Sequence, residues 1–445
     1  MNKMKNTPVR KLLISMSLPI MLAMLIQALY NIVDSMFVAN YAKEALDAVS
    51  LAFPISTLII SISVGTAVGM GAILSKRLGQ GRQGEANQIA MHGIVLALAS
   101  YAAIAIFGLF FAKSFASFFT SNQEVLEMAT SYIRICTVGS FGVFVQITLE
   151  RMLQSTGHTV ENLMMQGSGA LINIILDPLL IFGLFFFPEL GVKGAAIATI
   201  LGQISAMCIG LHLVHKKVKE IQLDFSTFKF DMNVVKEIYH VGFPAIVMQS
   251  LTSIMTVCLN VILALDSETA ISVYSVYAKL QAFIFMPIFG MNNAMVAIVA
   301  YNYGARNKER ILATMSLAIK ITLVVMGCGT LLFQLLANPI MYLFNADAQM
   351  LSLGVVALRR ISLCFIFAGV TIINSGVFQA LGKGFYSLIL SLSRNIIMLI
   401  PISYLLYLLL GIDGLWYSFI LAEFICMLIG LKMMSKIKKT VIDQL

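Results

Sequence analysis

Apolar runs long enough to cross a bilayer recur from one end of this chain to the other, and that recurrence restricts the fold more than any other feature. A helix needs about 20 apolar residues to span the hydrocarbon core. Twelve such segments are read, at 11–39, 46–75, 86–112, 125–150, 160–187, 191–214, 233–265, 270–303, 311–338, 347–381, 384–410 and 412–434. Lipid offers the backbone no hydrogen-bond partner, so only helices and closed barrels span it. No alternating ten-residue pattern appears, which favours helices over a barrel. The expected fold is an all-α integral membrane protein. The charge content agrees: 11% of the 445 residues are charged, against about 25% in soluble chains.

The loops predict orientation. Lys and Arg crowd the N-terminus, the loops after even-numbered segments and the C-terminus, as in Lys5, Arg10, Lys11, the Lys216-Lys217-Lys219 cluster and Lys436, Lys438, Lys439; the opposite loops hold only Lys43, Lys113 and Lys193. The positive-inside rule then places both termini in the cytoplasm. The basic start, Met1 to Lys11, runs into a long apolar segment without a small-residue cleavage site. That pattern reads as a first spanning helix and not as a removable leader.

An internal repeat divides the chain. Pro19 and Pro244, Gly65 and Gly290, Gly79 and Gly304, Arg134 and Arg359, Gln154 and Gln379, and Gly157 and Gly382 are all 225 apart; Gly191 and Gly411, Gly194 and Gly414, and Gly210 and Gly430 are 220 apart. Six segments per half is an even number, so the halves share one orientation, as in parallel transporter repeats. The predicted organisation is an N-terminal six-helix bundle over 1–217, a cytoplasmic linker over 218–232 and a C-terminal bundle over 233–445. Substrate and ion sites then belong near the midplane, on or between the halves.

Three acids interrupt the apolar segments: Asp34, Asp177 and Glu423. An ionisable group at that depth costs a few kcal/mol on insertion scales and is a functional hypothesis by default. In segment five, Asn173 and Asp177 are four apart and share a face, and Pro178 loosens the helix beside the acid. In segment one, Gln27, Asn31 and Asp34 form a similar stripe. Segment seven has its own stripe in Gln249, Ser253, Thr256 and Asn260, but Leu259 stands where Asp34 would be. Gln203 corresponds to Glu423, and Arg394 lies close to the counterpart of Asn173. Arg394 and Glu423 are therefore expected to pair as a neutral structural unit. Asp34 and Asp177 have no counter-ion in their own segments and are expected to share a first-half cation site. Two adjacent carboxylates favour taking up a proton, and oxygen ligands with Asn173 and Thr199 nearby suit sodium equally well.

Several function classes are excluded. Six cysteines are scattered singly, without metal or redox spacing. His92, His158, His212, His215 and His240 are isolated, so no intramembrane enzyme constellation is formed. No Walker-type loop is present. The +9 net charge is explained by topology and not by nucleic-acid binding.

These residues bring the sequence close to a known family. It resembles the multidrug and toxic compound extrusion (MATE) transporters over essentially its whole length, and the bacterial Mep-type subgroup in particular. The carrying stretches are Ser17 to Met21 and Tyr30 to Val38 in segment one, Asn173 to Pro178 in segment five, Gly194 to Thr199 in segment six, and Tyr277 to Gln281 with Tyr301 to Arg310 around segment eight. The resemblance implies two pseudo-symmetric six-helix bundles in a V, no cofactor, and a bacterial inner-membrane location. It implies monomeric antiport of amphipathic, often cationic drugs against sodium ions or protons, hence antibiotic resistance. Relatives with first-lobe acids use the positions matching Asp34, Asn173, Asp177 and Thr199. A substrate cavity is expected from Gln27, Tyr30, Asn31, Gln249, Ser253, Thr256, Asn260, Lys279, Phe283 and Met286. The alternative reading is a flippase for a lipid-linked oligosaccharide or another anionic lipid, favoured by the intramembrane Arg and Lys.

Overall fold

The computed structural model describes residues 3–344 and 346–445; the side chains of Lys3 and Lys43, two of the loop cations, lie outside the described residues. All regular elements among these residues are helical. Ten helices are each long and apolar enough to cross a membrane: Val9–Tyr41, Glu44–Gly79, Gln83–Phe119, Thr159–Ile181, Val192–Lys217, Met232–Ala264, Glu268–Gly304, Lys308–Leu343, Gly384–Leu410 and Ile412–Ile442. Two bent pairs complete twelve spans. Segment four is Gln123–Val138 with Phe141–Ser155, bent by 46°, and segment ten is Ala348–Ser362 with Phe365–Ala380, bent by 47°.

Local chemistry marks the helix starts. Asn122 Oδ1 accepts from the N–H of Glu124, Ser267 Oγ from Ala270, Asn307 Oδ1 from Arg310 and Asp347 Oδ1 from Met350. Each bond satisfies one of the N–H groups a helix start leaves open. The repeat is equally visible in backbone conformation. Gly157 (φ 83°) and Gly382 (φ 74°) occupy matching left-handed positions, as do Gly191 (φ 54°) and Gly411 (φ 66°). A left-handed residue costs little only when it lacks a Cβ, which explains why these glycines recur at the repeat spacing.

Contacts divide the chain into two compact units, Leu18–Ile246 and Met1–Ser17 with Val247–Leu445. The divisions fall inside segments one and seven, close to the helix-interior prolines Pro19 and Pro244. Within the first unit, Gly65 and Gly69 bring segment two against segment seven. A Cβ on Gly69 would lie 2.8 Å from the N of Gly242, and one on Gly65 would lie 2.9 Å from the O of Gly242. Small residues at such contacts permit close approach of backbones, the main packing device inside lipid. Buried Ala45, Ala48, Ala112, Ala116, Ala129 and Ala195 continue the same theme.

One polar face of segment three holds residues 219–231 along the first unit. Gln83 Nε2 donates to the carbonyls of Lys219 and Glu220, Asn87 Oδ1 accepts from the N–H of Gln222, and Gln88 bonds both Thr227 O and Lys229 N. His92, fully buried, accepts from the N–H of Asp231 through Nε2 (2.8 Å), with Nδ1 2.7 Å from the Gln88 carbonyl. That arrangement requires the tautomer protonated on Nδ1.

Candidate functional site: two carboxylates in the first unit

Asp177 lies near the end of the helix Thr159–Ile181, with no solvent exposure, and Asn173 one turn earlier is almost as buried. The Asn173 amide spans two helices: its nitrogen donates to Asp177 Oδ2 (3.3 Å) and its oxygen accepts from the backbone N–H of Thr199 (3.2 Å) in the orientation that satisfies both. Segment six reaches Asn173 because residue 202 is glycine. A Cβ there would sit 2.8 Å from the Gly169 carbonyl oxygen and 3.0 Å from Asn173 Cβ. Pro178, immediately after the acid, has no N–H to return to the carbonyl of Ile174, so the helix is less constrained at this point.

Asp34 comes from the helix Val9–Tyr41, is half-buried, and has its carboxyl close to that of Asp177. Asp34 Oδ1 is buried and has no hydrogen-bond partner among the described residues. No Lys or Arg forms an ion pair with either acid among those residues. Tyr30, Tyr132 and Cys136 stand close by. Two carboxylates in one low-dielectric site repel each other unless a proton or a cation joins them. The chemistry available to this cluster is reversible cation or proton uptake.

Beside the acids lies a small cavity of about 40 Å³ within the same unit. Gln27 and Tyr30 of segment one, Gln146 of segment four and Gln166 of segment five line it, with Asn173, Thr199 and Gln203. Every one of these polar side chains is uncharged. Carboxamides both donate and accept, so the walls can meet varied polar groups on a guest. Gln146 and Gln166 were not anticipated as lining residues. Gln166 was legible, because it lies seven residues before Asn173, two turns down the same helix face. Gln146 sits in a segment whose bend re-aims its side chains, and nothing in the local sequence marks that.

The other anticipated residues are placed as follows. Asn31 is exposed, and its carbonyl accepts from Ser35 Oγ. In the second unit Gln249, Ser253 and Lys279 are exposed, and Phe283 is 43% exposed. Thr256 Oγ1 donates to the Thr252 carbonyl, Asn260 Oδ1 is buried without a partner among the described residues, and Met286 is half-buried. Leu259, where the repeat would put an acid, is fully buried. Arg394 Nε donates to Glu423 Oε1.

Comparison with known proteins extends this geometry. The family model MatE matches residues 19–179 and 244–405. Both matched stretches begin at the paired prolines. Among curated relatives, a protein named FAD transporter from Shewanella oneidensis is 24% identical, over 99% of this chain and 98% of its own length. The multidrug export protein MepA of Staphylococcus haemolyticus is 26% identical, over 94% of this chain and 91% of its own. Among solved structures, an outward-facing multidrug resistance MATE family transporter of the MOP superfamily superposes with a TM-score of 0.91 at 27% identity, covering 99% of both chains.

Proposed function

This chain belongs to the MatE family, whose members are transporters and not enzymes, and from that premise we propose that it is a drug/ion antiporter working by alternating access. The observation that carries the ion half of this reading is the meeting of Asp34 and Asp177 without a cationic side chain. With both acids charged, the first unit attracts sodium, a proton or a cationic drug. Loading one monovalent ion removes one of the two negative charges, beside the Asn173 amide, whose nitrogen donates to Asp177 Oδ2 and whose oxygen accepts from the Thr199 N–H. The loaded ion then shifts the balance of inward-open and outward-open states by its differential affinity for the two. A shift from 1:99 to 99:1 needs a preference of about 10⁴-fold. Charge gained and lost on two carboxylates is a source of that size where a neutral site is not.

The substrate reading rests on the neutral, hydrogen-bonding cavity beside the acids and on the multidrug export proteins among the relatives. Amphipathic cations fit both. The polar stripe Gln249, Ser253, Thr256 and Asn260, with Lys279, Phe283 and Met286, is the second half's own candidate substrate-contact surface. The halves 1–217 and 233–445 act as two bundles joined by a cytoplasmic linker at 218–232, both termini are cytoplasmic, and the working unit in the bacterial inner membrane is one chain. A second reading, export of a flavin dinucleotide, is favoured by the relative named FAD transporter.

Efflux from proteoliposomes under imposed sodium or proton gradients tests both readings. An amphipathic cationic dye should leave wild-type vesicles when either the sodium or the proton gradient is applied, and Asp34→Asn and Asp177→Asn should stop it. Gradient-driven efflux that survives both substitutions removes the proposed site. FAD transport at the expense of the dye selects the second reading.

A further inference from the structure

Glu423 is the one intramembrane acid of the second half, and it lies only 8% exposed on the helix Ile412–Ile437. One of its oxygens takes the Arg394 Nε–H; the other, Oε2, is buried and has no hydrogen-bond partner among the described residues. Arg394 stands on a π-helical turn, Ser393–Met398, that interrupts segment eleven. Such turns widen a helix by one residue and occur preferentially at functional sites. Around the pair are Tyr277, Cys364 and Cys426, all buried, and the Tyr277 hydroxyl also lacks a partner. No second acid or base faces the pair among these neighbours. The repeat places Glu423 at the counterpart of Gln203, a cavity residue of the first half, and puts Arg394 one position past the counterpart of Asn173.

We propose that Arg394 is a tethered cation: its guanidinium permanently occupies, on Glu423, a cation site that the second half would otherwise fill from solution, so that ion exchange is confined to the first half. This rests on the antiport reading of Asp34 and Asp177. The geometry supports it in two ways. An exchangeable site needs a carboxylate that is empty in part of the cycle, and Glu423 has a resident partner that cannot diffuse away. The unpartnered Glu423 Oε2 and Tyr277 hydroxyl are oxygen donors of the kind a hard cation takes, so oxygen ligands remain there beyond the one hydrogen bond Arg394 uses.

The test counts cations bound per purified chain, as radioactive sodium retained and as protons exchanged with a weakly buffered solution. In the wild type, all binding should disappear in the double variant Asp34→Asn/Asp177→Asn. Arg394→Met should gain one further equivalent, and adding Glu423→Gln should remove it again. Two results overturn the proposal: residual binding in Asp34→Asn/Asp177→Asn, or a folded Arg394→Met protein with the wild-type count. Should Arg394→Met not fold, Glu423→Gln decides, because a tethered site predicts an unchanged count and an exchangeable Glu423 predicts a lower one. A wild type that binds no cation sinks the antiport reading, and the gain in Arg394→Met still reads the second site on its own.

Discussion

In the unit Leu18–Ile246 two carboxylates meet without a Lys or Arg among the described residues; in the unit with Val247–Leu445 one carboxylate is matched by a guanidinium. Both arrangements descend from one repeat and both put charge where lipid cannot solvate it. The first leaves its charge to be neutralised from outside, so its occupancy can differ between states. The second neutralises itself and is the same in every state. A site that is conditionally neutral can respond to a gradient; one that is permanently neutral can only hold helices together. The difference is a matter of few residues and of the π-helical turn at Arg394, since the two halves otherwise follow one plan, down to the 46° and 47° bends.

The sharpest way to break this contrast is to neutralise each site in turn. Asp177→Asn removes a charge-assisted ligand worth about 1.5–3 kcal/mol, roughly 10–100-fold in ion affinity, and should abolish gradient-driven efflux. The matched double variant Arg394→Met/Glu423→Gln should keep it. Equal loss in both variants would erase the distinction.

Stability should invert that order. Removing Arg394 alone strands a buried carboxylate, at a cost of about 3–5 kcal/mol, whereas replacing both partners costs little. Thermal melting of Arg394→Met, Glu423→Gln and the double variant measures this. The tethered-cation reading adds that sodium should raise the melting temperature of Arg394→Met more than that of the wild type, because a ligand bound only by the folded state stabilises it.

A smaller contrast lies in the backbone. Gly81 (φ 74°) in the first half is matched 225 residues later by Arg306 (φ 53°), a left-handed residue that carries a Cβ. Nothing lies within 4 Å of a Cβ built on Gly81, so the cost there is conformational alone. Gly81→Arg should lower stability by about 1 kcal/mol, and Arg306→Gly should raise it by a similar amount. Unfolding of the two variants side by side checks the sign.

The smallest effect is a pH dependence confined to the first unit. His158, at the start of segment five, faces Glu220 (Nε2 to Oε2, 3.6 Å) and Glu161 (Nδ1 to Oε1, 3.5 Å). The Glu220 carboxylate, more than burial opposes, holds the imidazole above its ordinary range, and the imidazole in turn holds Glu220 below the usual carboxylate range. A raised base stabilises the fold fully below its unfolded pKa and loses that contribution as pH rises through its folded one. A lowered acid does the reverse, losing its contribution as pH falls through its folded pKa. The pair is therefore strongest between the two, from mildly acidic conditions up to just beyond the ordinary histidine range. His158→Gln should flatten the dependence of melting temperature on pH by an amount worth about 0.2–1 kcal/mol. A slope unchanged by the substitution would show that the contact contributes nothing.

Much of this was legible before any coordinates. Twelve spans follow from apolar run length, and the repeat follows from glycines and prolines at fixed spacing, since those residues answer to backbone demands that both halves share. The nearness of Asn173 to Asp177 is a property of one helix. Gln166 was equally readable and was missed. The bends in segments four and ten were not readable, because Gly139 and Ser140 differ from Leu363 and Cys364 and the kink depends on what packs around them.

The sequence by itself determined that this chain lies in a membrane, that it was built twice from one pattern, and that three acids would be costly where they stand. These are consequences of composition and of contacts within a helix turn. That Asp34 and Asp177, 143 positions apart, share one site without a cation among the described residues, that Arg394 meets Glu423 from a π-helical turn, and that Gln146 lines the cavity beside the acids were decided only by the tertiary structure. Pairing across helices depends on rotation and depth, and these are fixed by packing against neighbours such as Gly202, where the absence of a single methyl group lets one helix reach the other.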